Sequence, residues 1–189
     1  MNNIALVLKA LEFAAGRHKG QYRKGEDMTP YINHPIQVAN LLATVAGETD
    51  AVLLSAAVLH DVIEDTVGSV KERDQLIKQI SDVFGDEILK LTLEVTDDKT
   101  LDKSERKRLQ VVNAAHKSVR AKKLKIADKI MNLRDLTTNP PKDWTTERIL
   151  AYFDWSEKVV EGLRGVSQGL ETMFDETLAK GRAKYCVRV

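Results

Sequence analysis

The chain of 189 residues is 43% hydrophobic and 30% charged with a formal net charge of +1, the balance of an ordinary globular domain and not of a general nucleic-acid binder. No run approaches the ~18 consecutive apolar residues of a membrane span. The one cysteine, Cys186, excludes an intramolecular disulfide, which fits a reducing cytoplasm.

Met1 to Phe13 carries Lys9 and Glu12 inside an apolar pattern and offers no clear cleavage site. It reads as a first helix and not as an export signal, with Ile4, Leu8, Leu11 and Ala15 on one face. Gly20, Gly25, Thr29 and Pro30 break the chain after it, and a short hairpin between Lys19 and Ile32 is compatible with those breaks. Pro35 is a natural first residue of the next helix. Ala51 to Leu59 is apolar on every side except at Ser55, which marks a helix of the core. Leu76, Ile77, Ile80 and Phe84 form a further stripe stopped by Gly85, and Ile88, Leu91 and Val95 form the one after it. Asp97, Asp98 and Lys99 read as a loop.

From Lys103 to Lys129 there are ten Lys and Arg against two acids. This is either a solvated helix face or an electropositive rim that draws in a polyanionic small molecule. Asn139, Pro140 and Pro141 form the clearest break, and two more helices are expected, near Thr145–Gly162 and Val166–Ala179. The fold class is therefore all-α, with roughly eight to ten helices. It is expected to be one domain over residues 1–189, with its core over about residues 3–170.

Three anomalies carry chemistry. The core helix that starts at Ala51 runs into His60, Asp61, Glu64 and Asp65. An imidazole and three carboxylates at the mouth of a buried helix are costly unless they are paired or hold a metal. Read as one continuous helix, the segment stacks His60 over Glu64 and Asp61 over Asp65. Next, Leu124, Ala127 and Met131 define an inward stripe that contains Asp128, with Asn132 one turn further on the same face. An acid there is a buried salt-bridge partner, a cap or a metal ligand; beside His60 and Asp61 the ligand reading is the better one. Finally, Pro35 fixes His34 at the start of a helix, where it is either a cap or a ligand. His18 and His116 stand in ordinary polar surroundings and are given no role, and Trp144 and Trp155 are read as packing residues.

The order His34, His60-Asp61, Asp128 resembles the HD-domain metal phosphohydrolases. More narrowly, TPYINHP, LLSAAVLHDVIEDT, VTDDKTLDKSERKRLQ, KIADKIMNLRDL and AYFDW resemble the small alarmone hydrolases. These are the stand-alone relatives of the hydrolase domain of RelA/SpoT proteins, a group that includes metazoan SpoT homologues. The resemblance runs from the first helix to about Gly169. It implies removal of the 3′-pyrophosphate of ppGpp or pppGpp, with one Mn²⁺ held by His34, His60, Asp61 and Asp128, a donor set that also admits Fe²⁺, Co²⁺ or Zn²⁺. It places Glu64 and Asp65 as the catalytic pair that orients water and moves protons. It also places Arg23, Lys24, Lys99, Asn132, Arg148 and Tyr152 against the nucleotide or its phosphates.

Only His18 and His116 remain to hold a second ion, so one metal is expected. Nothing in the chain is long enough for a separate synthetase domain, so hydrolysis alone is expected. The same motif admits a phosphatase acting on the 2′-phosphate of NADPH or on another 3′-phosphorylated nucleotide. A non-catalytic nucleotide sensor is disfavoured, because it has no physical need to keep costly buried acids.

Overall fold

A computed structural model describes residues 2–186, and among these it shows ten α-helices. They are α1 (Asn3–Arg17), α2 (Asn33–Thr44), α3 (Ala51–Leu59), α4 (Val62–Asp65), α5 (Val70–Phe84), α6 (Asp86–Val95), α7 (Lys103–Asn113), α8 (Val119–Thr138), α9 (Thr146–Glu161) and α10 (Gln168–Cys186). A 3-10 turn, Ala114–His116, follows α7. The expected hairpin is reduced to one antiparallel bridge between Tyr22 and Pro30. No helix among the described residues is long and apolar enough to cross a membrane.

The apolar helix α3 lies at the centre, packed against α1, α2, α6 and α8. Asp50 starts it, its carboxylate accepting the Val52 N–H at 2.9 Å. Leu53, Ala56, Ala57, Val58 and Leu59 are all essentially fully buried, each large side chain contributing on the order of 1.5–3 kcal/mol. The α5 and α6 stripes bury Leu76, Ile80 and Phe84 and then Ile88, Leu91 and Val95, with Gly85 at φ 86° between the two helices.

The first helix turns differently from its apolar pattern. Ile4 is 74% and Leu8 58% exposed, whereas Ala10 and Ala14 are fully buried. Small residues let α1 approach α3 closely, and this close contact decides the face, not the larger side chains near the N-terminus.

The last helix runs further than its expected end at Ala179. Its continuation carries no apolar stripe. Instead Gly181 faces Phe153, where a Cβ would sit 2.6 Å from the ring. The missing side chain lets the end of α10 close onto α9, with Tyr185 buried beyond it.

Candidate metal centre and adjoining cavity

His60 and Asp61 do not lie inside one continuous helix. Regular α-structure stops at Leu59 and resumes at Val62. In an unbroken helix adjacent residues point about 100° apart; the break lets both side chains turn toward one point. Asp61 and Asp65 keep the expected stacking, since the Asp65 N–H donates to the Asp61 carbonyl at 2.8 Å.

Four side chains converge at that point. His34 comes from the first turn of α2, Asp128 from the middle of α8, and His60 and Asp61 from the α3–α4 junction. The candidate ligand atoms of His34, His60 and Asp128 all lie within 4.8 Å of one another. His34 Nε2 is 3.1 Å from Asp128 Oδ1. Asp61 closes the group from one side, its Oδ2 3.0 Å from His60 Nε2 and 3.8 Å from His34 Nε2.

Three observations fit this group to a divalent cation. His60 Nδ1–H donates to the Ala57 carbonyl at 2.7 Å, which fixes the ring and leaves Nε2 as the free donor atom. That Nε2 is buried without an aligned hydrogen-bond partner. Two imidazoles with two carboxylates are a donor set that holds a borderline or hard divalent ion.

Without a cation, burial works against the charged form of His60, but the Asp61 and Asp128 carboxylates outweigh it and raise its pKa to about 9. Burial lowers the pKa of His34. Both carboxylates are held well below their usual range despite their burial, Asp61 chiefly by His60 and Asp128 chiefly by Lys129 and His34.

A proton on His60 therefore competes with a metal at every pH below about 9. Metal uptake at pH 7–8 is expected to release close to one proton from this ring, and Kd should tighten roughly tenfold per pH unit across that range. Metal titrations at the two pH values check this; a Kd that does not change with pH would contradict it.

Beside the cluster, Tyr31 Oη lies 2.8 Å from Asp61 Oδ2 and 2.9 Å from Asp65 Oδ2. Its single proton goes to one of them at a time. Asp65 also receives Lys99 Nζ at 2.6 Å. Glu64 accepts the Asp97 N–H at 3.2 Å, with Lys99 and Arg106 at 3.6 and 3.7 Å. Burial, then Asp97, Asp61 and Asp65, raise its pKa to about 6, a value suited to taking up a proton near neutrality.

A cavity of about 450 Å³ opens from His34, Tyr31 and Asp65. Arg23, Lys24, Asn132 and Tyr152 line it, while Lys99 and Arg148 are not among its lining side chains. Lys99 reaches Asp65 from the rim, and Arg148 stacks on Trp144 with Cζ 4.3 Å from the ring. The Arg23 guanidinium donates to Asp135 at 2.8 Å and to Asn132 Oδ1 at 2.7 Å. Asn132 in turn donates to Asp128 Oδ1 at 2.7 Å. One chain of contacts thus joins the cavity wall to the metal cluster.

The loop carrying Arg23 and Lys24 is seated by Asn139, whose Oδ1 accepts the Glu26 N–H at 2.7 Å. A Cβ on Gly25 would fall on the Asn139 side chain and 2.5 Å from its carbonyl oxygen. Gly25→Ala is expected to unseat the loop, raising KM for a nucleotide substrate on the order of tenfold while metal content stays unchanged. Steady-state kinetics with metal quantification check it, and an unchanged KM would contradict it.

Several residues near the site have a different setting from the one their sequence suggests. His18 is buried, at 3% exposure, beside the site. Its ring stacks on Tyr31 at 4.8 Å, and its Nδ1 lies 2.8 Å from Gln21 Oε1. Gln21 donates in turn to the Asp65 carbonyl at 2.9 Å. Trp144 is a cavity wall as well as a packing residue.

The basic stretch divides between the two readings. Arg108, Arg120 and Lys123 pair with acids. Lys125 and Lys129, by contrast, are buried on either side of Asp128. Two residues at the site that carry no expected role have a sequence signal: Tyr31 stands in TPYINHP and Lys129 next to Asp128.

A helical domain with a histidine–aspartate cluster of this build is an HD domain, and the HD domain family model matches residues 10–151. The chain belongs to that family. It is 49% identical over 167 residues to the guanosine-3′,5′-bis(diphosphate) 3′-pyrophosphohydrolase MESH1 of Homo sapiens, covering 88% of this chain and 89% of that one. It is 48% identical over 172 residues to the protein of the same name from Drosophila melanogaster, covering 91% and 92%. The solved structure of a metazoan ortholog of SpoT, a protein that hydrolyzes ppGpp and plays a role in starvation responses, superposes with a TM-score of 0.86 at 46% identity, covering 93% and 95%.

Proposed function

We propose that this chain hydrolyses the 3′-diphosphate of ppGpp and pppGpp, releasing pyrophosphate and leaving GDP or GTP. The observation that carries the reading is the buried group of His34, His60, Asp61 and Asp128 at the mouth of a nucleotide-sized cavity, with His60 Nε2 facing Asp61 but without an aligned hydrogen-bond partner among the described residues. The likeness to proteins named for this activity, over about nine-tenths of both chains, supports it.

His34, His60, Asp61 and Asp128 would hold one Mn²⁺, which suits a mixed imidazole and carboxylate set. A bound divalent ion supplies Lewis-acid polarisation and makes water a better nucleophile near neutral pH. In the reaction, water oxygen adds to the phosphorus next to the ribose. The bond from that phosphorus to the 3′ oxygen breaks, and the 3′ oxygen takes a proton.

Glu64, with its raised pKa, takes the proton of the attacking water. Asp65, held by Lys99 and Tyr31, orients that water. Arg23, Lys24, Asn132 and Tyr152 hold the nucleoside in the cavity, and Lys99 and Arg148 face the phosphates from its rim. The chain acts as a single catalytic domain, and its one cysteine suits a cytoplasmic enzyme.

The test is a comparison of ppGpp, pppGpp and NADPH at equal concentration with Mn²⁺ present. The guanosine substrates should be consumed faster. Much faster turnover of NADPH would overturn the assignment.

A further inference from the structure

An aromatic row runs from the segment before α9 onto that helix. Trp144 and Tyr152 have ring centroids 5.8 Å apart, and Tyr152 and Trp155 5.2 Å. Two lysines from different helices converge on Trp155: Lys107 Nζ of α7 stands 4.7 Å from the ring centroid and Lys129 Nζ of α8 4.5 Å. Lys107 also stands 5.5 Å from the Tyr152 ring, a wall of the cavity. The Trp155 indole N–H donates to the Lys107 carbonyl at 3.0 Å, so the backbone that carries Lys107 is tied to the same aromatic.

These cations lack adequate counter-charges. Lys129 is 3% exposed, and its one acidic contact among the described residues is Asp128 Oδ2 at a long 3.4 Å. Among the described residues Lys107 stands near other cations, Lys103, Lys129 and Arg148, and its partial burial together with these charges lowers its pKa. Asp128 is itself one of the carboxylates proposed to hold a divalent ion. Once two carboxylates face a dication, Lys129 is no longer needed for neutrality and becomes excess positive charge. Buried charge without a partner is costly, and cation–π contact returns only part of that cost. A strongly anionic group arriving beside the cluster would supply the missing counter-charge.

We propose that Lys107 and Lys129, gathered on the Trp155 face beside Asp128, form a seat for a diphosphate group of the substrate. Lys107 is the contacting cation, and Lys129 lies behind it as fixed positive charge. This rests on the hydrolase reading for the identity of the substrate, but its test does not require turnover. Two diphosphates are candidates, the leaving 3′-diphosphate and the 5′-diphosphate that stays on the nucleoside, and their free forms are inorganic pyrophosphate and GDP.

The experiment is calorimetric titration of pyrophosphate, and separately of GDP, into the full metal-loaded chain with metal in excess over phosphate. Wild type is compared with Lys107→Gln, Lys107→Arg and the surface control Lys71→Gln. Lys107→Gln should weaken pyrophosphate by roughly tenfold, the scale of one charge-assisted contact, and leave GDP within about twofold. Lys107→Arg should restore most of the loss, and Lys71→Gln should change neither ligand.

Selective weakening of GDP would support the seat and assign it to the 5′-diphosphate. If Lys107→Gln, with an unchanged melting temperature, bound both ligands as wild type does, the seat would be overturned. Failure of wild type to hydrolyse ppGpp would instead sink the function reading, while the pyrophosphate difference would still stand or fall by itself.

Discussion

Asp61→Ala is expected to empty the metal centre and abolish hydrolysis together. Metal per chain should fall from about one to near zero, and turnover of ppGpp by at least about 10³-fold, since several kcal/mol of transition-state stabilisation go with the metal. The expectation follows from what Asp61 touches. Its Oδ2 is 3.0 Å from His60 Nε2 and accepts the Tyr31 hydroxyl at 2.8 Å. Removing it deletes one anionic donor and frees the tyrosine that also contacts Asp65. Overpacking is not a concern, because alanine is smaller and the backbone here is already helical in φ and ψ. Metal analysis and a melting curve on the same sample separate loss of the ion from loss of the fold. Wild-type metal content and turnover in this variant would remove Asp61 from the ligand set.

Glu64→Gln should do the opposite to metal and nearly the same to rate. Glu64 makes its contacts on the α6–α7 side, to the Asp97 N–H, Lys99 and Arg106. Its replacement by an isosteric amide therefore leaves the cation donors in place. The amide cannot take a proton, and loss of a positioned general base costs on the order of 10²–10⁴ in kcat.

The sign of the pH dependence follows from the same group. Its pKa is raised, to about 6, so the competent carboxylate is lost as pH falls through that region. Wild-type kcat should therefore decline toward acid, and Glu64→Gln should lose that limb along with the rate. A variant with near-normal kcat and an unchanged acid limb would take the base role away from Glu64.

Much of this site is legible in the sequence. The segment Ala51–Leu59 is too uniformly apolar to lie anywhere but the core, so polar residues at its end stand out. Asp128 stands out for the same reason, as an acid on the inward stripe of α8. The break between Leu59 and Val62 is not legible, because no Gly or Pro marks it; it depends on the need to turn two neighbouring side chains toward α2 and α8.

Lys125 and Lys129 read locally as a solvated face, since lysine is rarely buried. Packing against α8 encloses them from two sides, Lys125 reaching the Val95 carbonyl at the end of α6 and Lys129 the Trp155 ring of α9. In α1, the period shows which residues share a face but not which face wins. Ala10 and Ala14 win because close approach to α3 needs small side chains, and Ile4 and Leu8 stay in solvent. The placement of Arg23 depends on contacts more than a hundred positions away in sequence, with Asn132 and Asp135, which no local pattern encodes.

Product analysis distinguishes metal-dependent cleavage at the ribose 3′ position from any other reaction at this site. Purified protein is incubated with ppGpp in three conditions: with Mn²⁺, with a chelator, and with Mn²⁺ restored after chelation. GDP and pyrophosphate should form in equal amounts, stop with the chelator and resume on restoration. Release of inorganic monophosphate in place of pyrophosphate, or turnover indifferent to the chelator, would contradict it.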